Sequence, residues 1–268
     1  MYKNGMSEKR QAIMMAAGLG SRVGEITTIL PKSLIPINGK PMIEHNIECM
    51  IEAGLSRLIM MVGYKREMFT YLVDKYKDQI EIVQVLNPKY REYNTFSTIY
   101  YASDYFDRDS FFTTADIYLT ENIYKKYGWT ESDPVAYGFY LHKLVKDLPK
   151  PDWIATLGED EIGKYIISVD KNGYNGSMYS GITYWPVEEL QFIRSRLMTA
   201  DWNDPSLKKK YWDEFLFPIF DSHHIHVRHM ESELEVLEVD DEDDLRVMKA
   251  YLHDPVSVED LKKSLGIL

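Results

Sequence analysis

Apolar-rich runs recur through the first 116 residues, and the stretches between them keep a helical rhythm. "AIMMAA" (12–17), "RLIMMVG" (57–63), "IEIVQVL" (80–86) and "SFFTTAD" (110–116) read as buried strands. Between the first two, "KPMIEHNIECMIEAG" sets Met42, Ile43, Ile47, Met50 and Ile51 at helical spacing and stops at Gly54. "KREMFTYLVDKY" and "NTFSTIYYASDYF" predict two further helices, the second capped by Asn94 or Thr95. Strand and helix alternate, which predicts an α/β fold: a Rossmann-like mixed, mostly parallel sheet flanked by helices on both faces.

The second half is less regular. "PVAYGFYLH", "YIISVD" and "YSGITYW" suggest strands, and "PVEELQFIRSRLM" and "SLKKKYWDEFLFPIF" suggest helices. "LEVLEV" reads as a short strand running into the acidic helix "DDEDDLRVMKAYLH". The expected organisation is one domain over 1–268. A regular half is expected at about 11–130 and a less regular half at about 131–250, with a tail at 251–268 read as a short surface helix. No repeat or low-complexity tract interrupts it.

Composition narrows the classes. A 268-residue chain that is 45% apolar can bury a substantial core. Its formal net charge of −11 argues against a general nucleic-acid or anionic-membrane binder. Cys49 is the only cysteine and sits in a helical apolar context, so it reads as a small core residue in a reducing, cytoplasmic setting. The N-terminus lacks the apolar core of a signal peptide, and no apolar run approaches the ~20 residues of a membrane span.

Chemistry begins where the first strand ends. "MMAAGLGSRV" leaves the strand and places Gly18, Gly20 and Arg22 together. Two glycines allow a tight turn and a close backbone approach, and Arg22 offers a fork of donors to an anion. The loop has neither the third glycine of a dinucleotide fingerprint nor the G-K-[ST] of a P-loop. Lys32, after a proline, is either a solvated loop residue or a second cation for phosphate. Asp116 closes an apolar strand, where open α/β sheets bind ligands, although a turn cap would look the same. Glu238 closes "LEVLEV" and could equally be an exposed edge residue. Asp240 reads as the cap of the following helix, with the acids at 241–244 in its first turn. "HHIHVRH" places His224 and His226 two apart. With no acid at ligand spacing, an exposed edge strand is the expectation rather than a metal site.

"AAGLGSR", "PKSLIPINGKP" and "VGY", in this order and spacing, resemble the nucleoside-triphosphate-dependent nucleotidyltransferases that activate sugar phosphates and related phosphate monoesters. The chain departs from their usual loop between Val23 and Leu30. "NPKYREYNTFSTIY", "TADIYL", "SGITYW", "KKYWDEFL" and "LEVLEVDDEDDL" are more similar to the bacterial CTP:phosphocholine cytidylyltransferases, over about residues 11–250.

The resemblance implies Mg²⁺-dependent transfer of CMP from CTP to phosphocholine, giving CDP-choline and pyrophosphate. Lys32 and Arg22 would be the catalytic cations, and Asp116 and Glu238 the metal ligands. Ala16, Ala17, Gly18, Leu19, Gly20 and Asn94 would contact the nucleotide, with Asn94 equally readable as a helix cap. Trp153 and Tyr211 would face the quaternary ammonium, Asp213 would supply opposite charge, and Lys171 would lie near the acceptor phosphate. Taken alone, Trp153 and Tyr211 read as core aromatics and Lys171 as a turn lysine; Trp185 and Trp212 read as packing. The alternative acceptors are 2-aminoethylphosphonate and phosphoethanolamine, with a sugar 1-phosphate further off. A non-catalytic nucleotide sensor on the same fold is the alternative outside enzymes. Several members of the family self-associate, so a homo-oligomer is within the expectation. CTP and a small amine-bearing phosphate or phosphonate would be the partners, with neither nucleic acid nor membrane.

Overall fold

The computed structural model describes residues 10–128, 137–141, 153–170, 177–220 and 222–267. Numbered in chain order, the strands of its main sheet are β1 (Arg10–Ala16), β2 (Arg57–Val62), β3 (Glu81–Leu86), β4 (Asp109–Thr114), β5 (Tyr137–Leu141), β6 (Ile154–Glu159), β7 (Lys164–Asp170), β8 (Ser177–Trp185) and β9 (His226–Met230). They form one nine-stranded sheet in the order β3-β2-β1-β4-β8-β5-β9-β7-β6. The first four are mutually parallel, as the alternating pattern predicts. The chain winds outward from β1 through β2 to β3, then returns to set β4 on the other side of β1. This leaves a switch point between the carboxyl ends of β1 and β4, where open α/β sheets bind ligands.

β1 is buried along its whole length because both faces are covered. Ala12, Met14 and Ala16 pack with Ile43, Ile47 and Met50 of helix α1 (Met42–Glu52) and with Leu72 and Tyr76 of α2 (Thr70–Tyr76). Ile13 and Met15 pack on the opposite side with Phe96, Ile99 and Ala102 of α3 (Phe96–Ala102) and Leu190, Ile193 and Leu197 of α4 (Val187–Met198). A strand with two dry faces reads as an unbroken apolar run instead of an alternating one. Gly54 ends α1 at φ +80°, a conformation that favours glycine.

Two expectations are corrected. "SLKKKYWDEFLFPIF" is not one helix: a 3-10 turn at Pro205–Lys208 is followed by α5 (Trp212–Phe220). The chain breaks there because Lys208 and Lys210 give their carbonyls to the N–H groups of Asn94 and Phe96, at 2.9 and 3.1 Å, instead of to a helix of their own. "HHIHVRH" is not an edge strand: β9 lies inside the sheet between β5 and β7. His224 sits in the preceding turn at φ +45°. An acid does approach these histidines in space, since Asp160 meets His224 Nδ1 at 3.0 Å and His226 Nε2 at 3.1 Å. The tail contains the short helix expected of it, at Val258–Ser264. α6 (Glu242–Tyr251) and α7 (Val258–Ser264) bring Leu245, Met248, Val258 and Leu261 into a separate core with Val23, Ile26, Ile35, Ile37 and Met42.

Candidate active site

The loop after β1 takes its shape from two glycines. Gly20 adopts φ +65°, and a Cβ there would lie 3.0 Å from Lys32 Cβ and 3.2 Å from Thr27 Cγ2. Gly20 therefore lets the loop close against the stem of Lys32, which stands on a 3-10 turn after Pro31. Gly63 does the same from the neighbouring strand, where a Cβ would come within 2.7 Å of Ala17 O. A Cβ on Gly18 would meet nothing within 4 Å among the described residues, so this position opens to the cleft.

The acids arrive from the other side of the switch point. Asp116 follows β4, and the short strands Ile117–Leu119 and Val236–Glu238 pair antiparallel with Glu238 opposite Ile117. Val239 N–H donates to Asp116 O at 3.0 Å, which locks the two acidic segments together. Carboxylate oxygens of Asp116, Glu238 and Asp240 lie within 4.8 Å of one another. Asp116 Oδ1 is buried without a hydrogen-bond partner. An orphaned carboxylate oxygen inside an all-oxygen acidic group fits a hard divalent cation.

The cations are interleaved with these acids. Lys32 Nζ lies 2.5 Å from Asp116 Oδ2 and 3.7 Å from Asp240 Oδ1. Arg22 makes a two-pronged pair with Asp240. Burial works against the charge on Lys32, but Asp116, followed by Asp240 and Glu238, outweighs it and holds the ammonium above its ordinary value. Burial likewise opposes ionisation of Asp116, and Lys32 overcomes it, so the carboxyl lies below its ordinary value.

These residues line a single cleft of about 530 Å³. Ala16, Ala17, Gly18, Leu19, Gly20, Arg22 and Lys32 form one wall. Asn94, Asp116 and Glu238 line it too, as do Trp153, Tyr211 and Asp213. Lys171 lies outside the described residues. Asn94 does not cap α3 with its side chain: Oδ1 accepts from the adjacent Thr95 N–H, and Nδ2 donates to Lys209 O at 3.2 Å. Trp153 is half-buried and meets Phe217 edge-on, with centroids 5.0 Å apart. Asp213 is buried, and its Oδ1 accepts from Glu214 N–H. Trp185 and Trp212 are core residues, 0% and 2% exposed. Asp240 is the residue the sequence reading misplaced. The cap of α6 is Asp241, which exchanges bonds with Asp244, and Asp240 is thereby released into the cleft.

Residues 11–132 match the family model described as Nucleotidyl transferase. The choline-phosphate cytidylyltransferase of Streptococcus pneumoniae is 30% identical over 246 residues, covering 90% of this chain and 98% of the relative. The 2-aminoethylphosphonate cytidylyltransferase of Lancefieldella rimae is 32% identical over 214 residues, covering 79% of this chain and 81% of the relative. A solved structure of the CTP:phosphocholine cytidylyltransferase from Streptococcus pneumoniae aligns with a TM-score of 0.76 at 27% identity, covering 91% of this chain and 99% of that one. The chain belongs to the nucleotidyltransferase family. It is an enzyme of that class, with the mixed α/β nucleotide-diphospho-sugar transferase fold.

Proposed function

We propose that the enzyme transfers CMP from CTP to phosphocholine with Mg²⁺, forming CDP-choline and pyrophosphate. The observation that carries this reading is the shared cleft: the glycine loop, the interleaved cations and acids, and Trp153, Tyr211 and Asp213 all line it. In the reaction an acceptor phosphate oxygen attacks the α-phosphorus. The bond to the α–β bridging oxygen breaks, and its electron pair leaves with pyrophosphate. Both reactants are anions, so the protein's task is placement and neutralisation. Leu19 and Gly20 line the cleft, and their backbone N–H groups would help to hold the triphosphate. Arg22 grips it, and Lys32 meets charge growing on the α-phosphate, a contact of a kind worth roughly 2.7–4 kcal/mol. Asp116, Glu238 and Asp240 would hold the divalent ion, which when bound neutralises phosphate oxygens.

On the acceptor side, the rings of Trp153 and Tyr211 suit a quaternary ammonium and Asp213 supplies opposite charge. A primary-amine acceptor, 2-aminoethylphosphonate, is the second reading, favoured by the Lancefieldella rimae relative. The proposal includes the division into nucleotide and acceptor halves at about residue 130, a cytoplasmic setting, and self-association. Among the described residues no helix is long and apolar enough to cross a membrane.

The test is pyrophosphate release from CTP and Mg²⁺ with phosphocholine, phosphoethanolamine, 2-aminoethylphosphonate and glucose 1-phosphate side by side. Preference for phosphocholine is expected. Trp153→Ala should then raise its KM by about 2- to 30-fold while that of CTP stays put. Preference for a primary amine moves the assignment to the second reading, and release with glucose 1-phosphate alone overturns both.

A further inference from the structure

Two distant segments are stitched together along the cleft. Asn94 N–H donates to Lys208 O and Phe96 N–H to Lys210 O, at 2.9 and 3.1 Å. Beside these backbone bonds, Trp212 N–H donates to Thr95 Oγ1 at 3.0 Å. Thr95 stands at the N-terminal cap of α3, where a threonine oxygen ordinarily bonds its own helix, yet it makes no such bond. Its hydroxyl serves α5 instead.

The first N–H groups of a helix have no partner within it. At α5, Trp212 N–H is taken by Thr95, and just before it Tyr211 N–H is taken by Glu214 Oε2 at 2.7 Å. Trp212 itself is 2% exposed and meets Phe112 edge-on, so its backbone position is fixed by the core and by Thr95. Tyr211 and Asp213 flank it on either side, and both line the cleft.

We infer that Thr95 is a positioning residue for the acceptor: from the nucleotide side of the cleft it sets the start of α5, and with it Tyr211 and Asp213. The inference rests on the proposed acceptor role of those two residues. The two backbone bonds of the seam do not depend on the Thr95 side chain, so a variant at this position should keep them.

Thr95→Val removes the oxygen and keeps the shape, leaving Trp212 N–H without its partner. With phosphocholine as the varied substrate, its KM should rise by about 5- to 30-fold, the KM of CTP should stay within about two-fold, and kcat should fall less than the acceptor KM rises. Thr95→Ser should restore the acceptor KM to within about two-fold of the parent. Thr95→Ala, which removes the same oxygen with less bulk, replaces Thr95→Val if thermal unfolding shows the valine variant to be misfolded. An unchanged acceptor KM, an equal rise in the KM of CTP, or failure of serine to restore it overturns the inference. Tyr211→Ala, measured in parallel, separates the two levels. If it raises the acceptor KM and Thr95→Val does not, only the positioning role falls. If Tyr211→Ala changes nothing, the acceptor reading falls and takes the positioning role with it.

Discussion

The guanidinium of Arg22 lays two nitrogens on the two carboxylate oxygens of Asp240, at 3.1 and 2.7 Å. The same carboxylate belongs to the acidic group with Asp116 and Glu238. One side chain thus faces both a cation suited to phosphate and a set of oxygens suited to a metal. Asp240→Asn should release Arg22 and remove a negative charge from the cleft. Binding of CTP in the presence of a chelator should tighten by about 2- to 5-fold, the scale of an exposed ion pair, while Mn²⁺ binding to the free protein weakens. Calorimetric titration of each ligand alone checks both; weaker CTP binding without metal would contradict the pairing.

The Lys32–Asp116 pair makes a statement about pH. Asp116 lies below its usual 3.8, so its stabilising charge is present above that value and is lost as pH falls through the lower folded value. Lys32 lies above its usual 10.5, so its contribution is complete below that value and is lost as pH rises through the higher folded one. The difference in Tm between the parent and Asp116→Asn should therefore be flat from about pH 5 to 9 and change only outside it. Thermal unfolding across a buffer series measures this, and a step near neutrality would show that the pair is not ionised as described.

A second pair bears on stability away from the chemistry. Lys249 Nζ lies 2.6 Å from Asp254 Oδ2, with the two side chains 4% and 0% exposed. It also donates to Pro36 O, and Asp254 Oδ2 accepts from Asn38 N–H. Lys249→Met would leave a buried carboxylate without its cation, at a cost of about 3–5 kcal/mol. Replacing Asp254 by leucine in the same protein should recover part of that loss, because Asn38 N–H and Val256 N–H lose their acceptor in exchange. Denaturant unfolding of the single and double variants decides the point.

Cys49 offers a chemical check on the packing of α1. Burial, aided by Glu52 and Glu48, pushes its thiol up to about 11. The folded protein should resist thiol-specific reagents near neutral pH and react at the rate of a free thiol only once denatured. Rapid labelling of the native state would mean that α1 opens readily.

The first half of the fold was legible because its signals are local. β1 to β4 are short apolar-rich runs separated by helices that each cross back over the sheet, so run, period and stop residue lie next to one another in sequence. β9 was misplaced because its neighbours, β5 and β7, come from distant parts of the chain and nothing in "HHIHVRH" points to them. The break at Lys209–Tyr211 was invisible for the same reason, since its cause is Asn94–Phe96. In the candidate site, the glycine loop and Asp116 stood out by their place after strands, and Lys32 by the resemblance of "PKSLIPINGKP". Asp240 did not, because in a run of four aspartates and one glutamate the cap can slip by one residue, and only the bonds between Asp241 and Asp244 decide it.

The separate core around the glycine loop has a consequence for biosynthesis. Val23, Ile26, Ile35 and Ile37 come directly after β1, but the side chains that cover them, among them Val239, Leu245, Met248, Val258 and Leu261, follow every strand of the main sheet. Until those residues are in place, a growing chain carries its glycine loop on an uncovered apolar surface. Completion of this core therefore waits for residues 239–261 to close over the loop after β1.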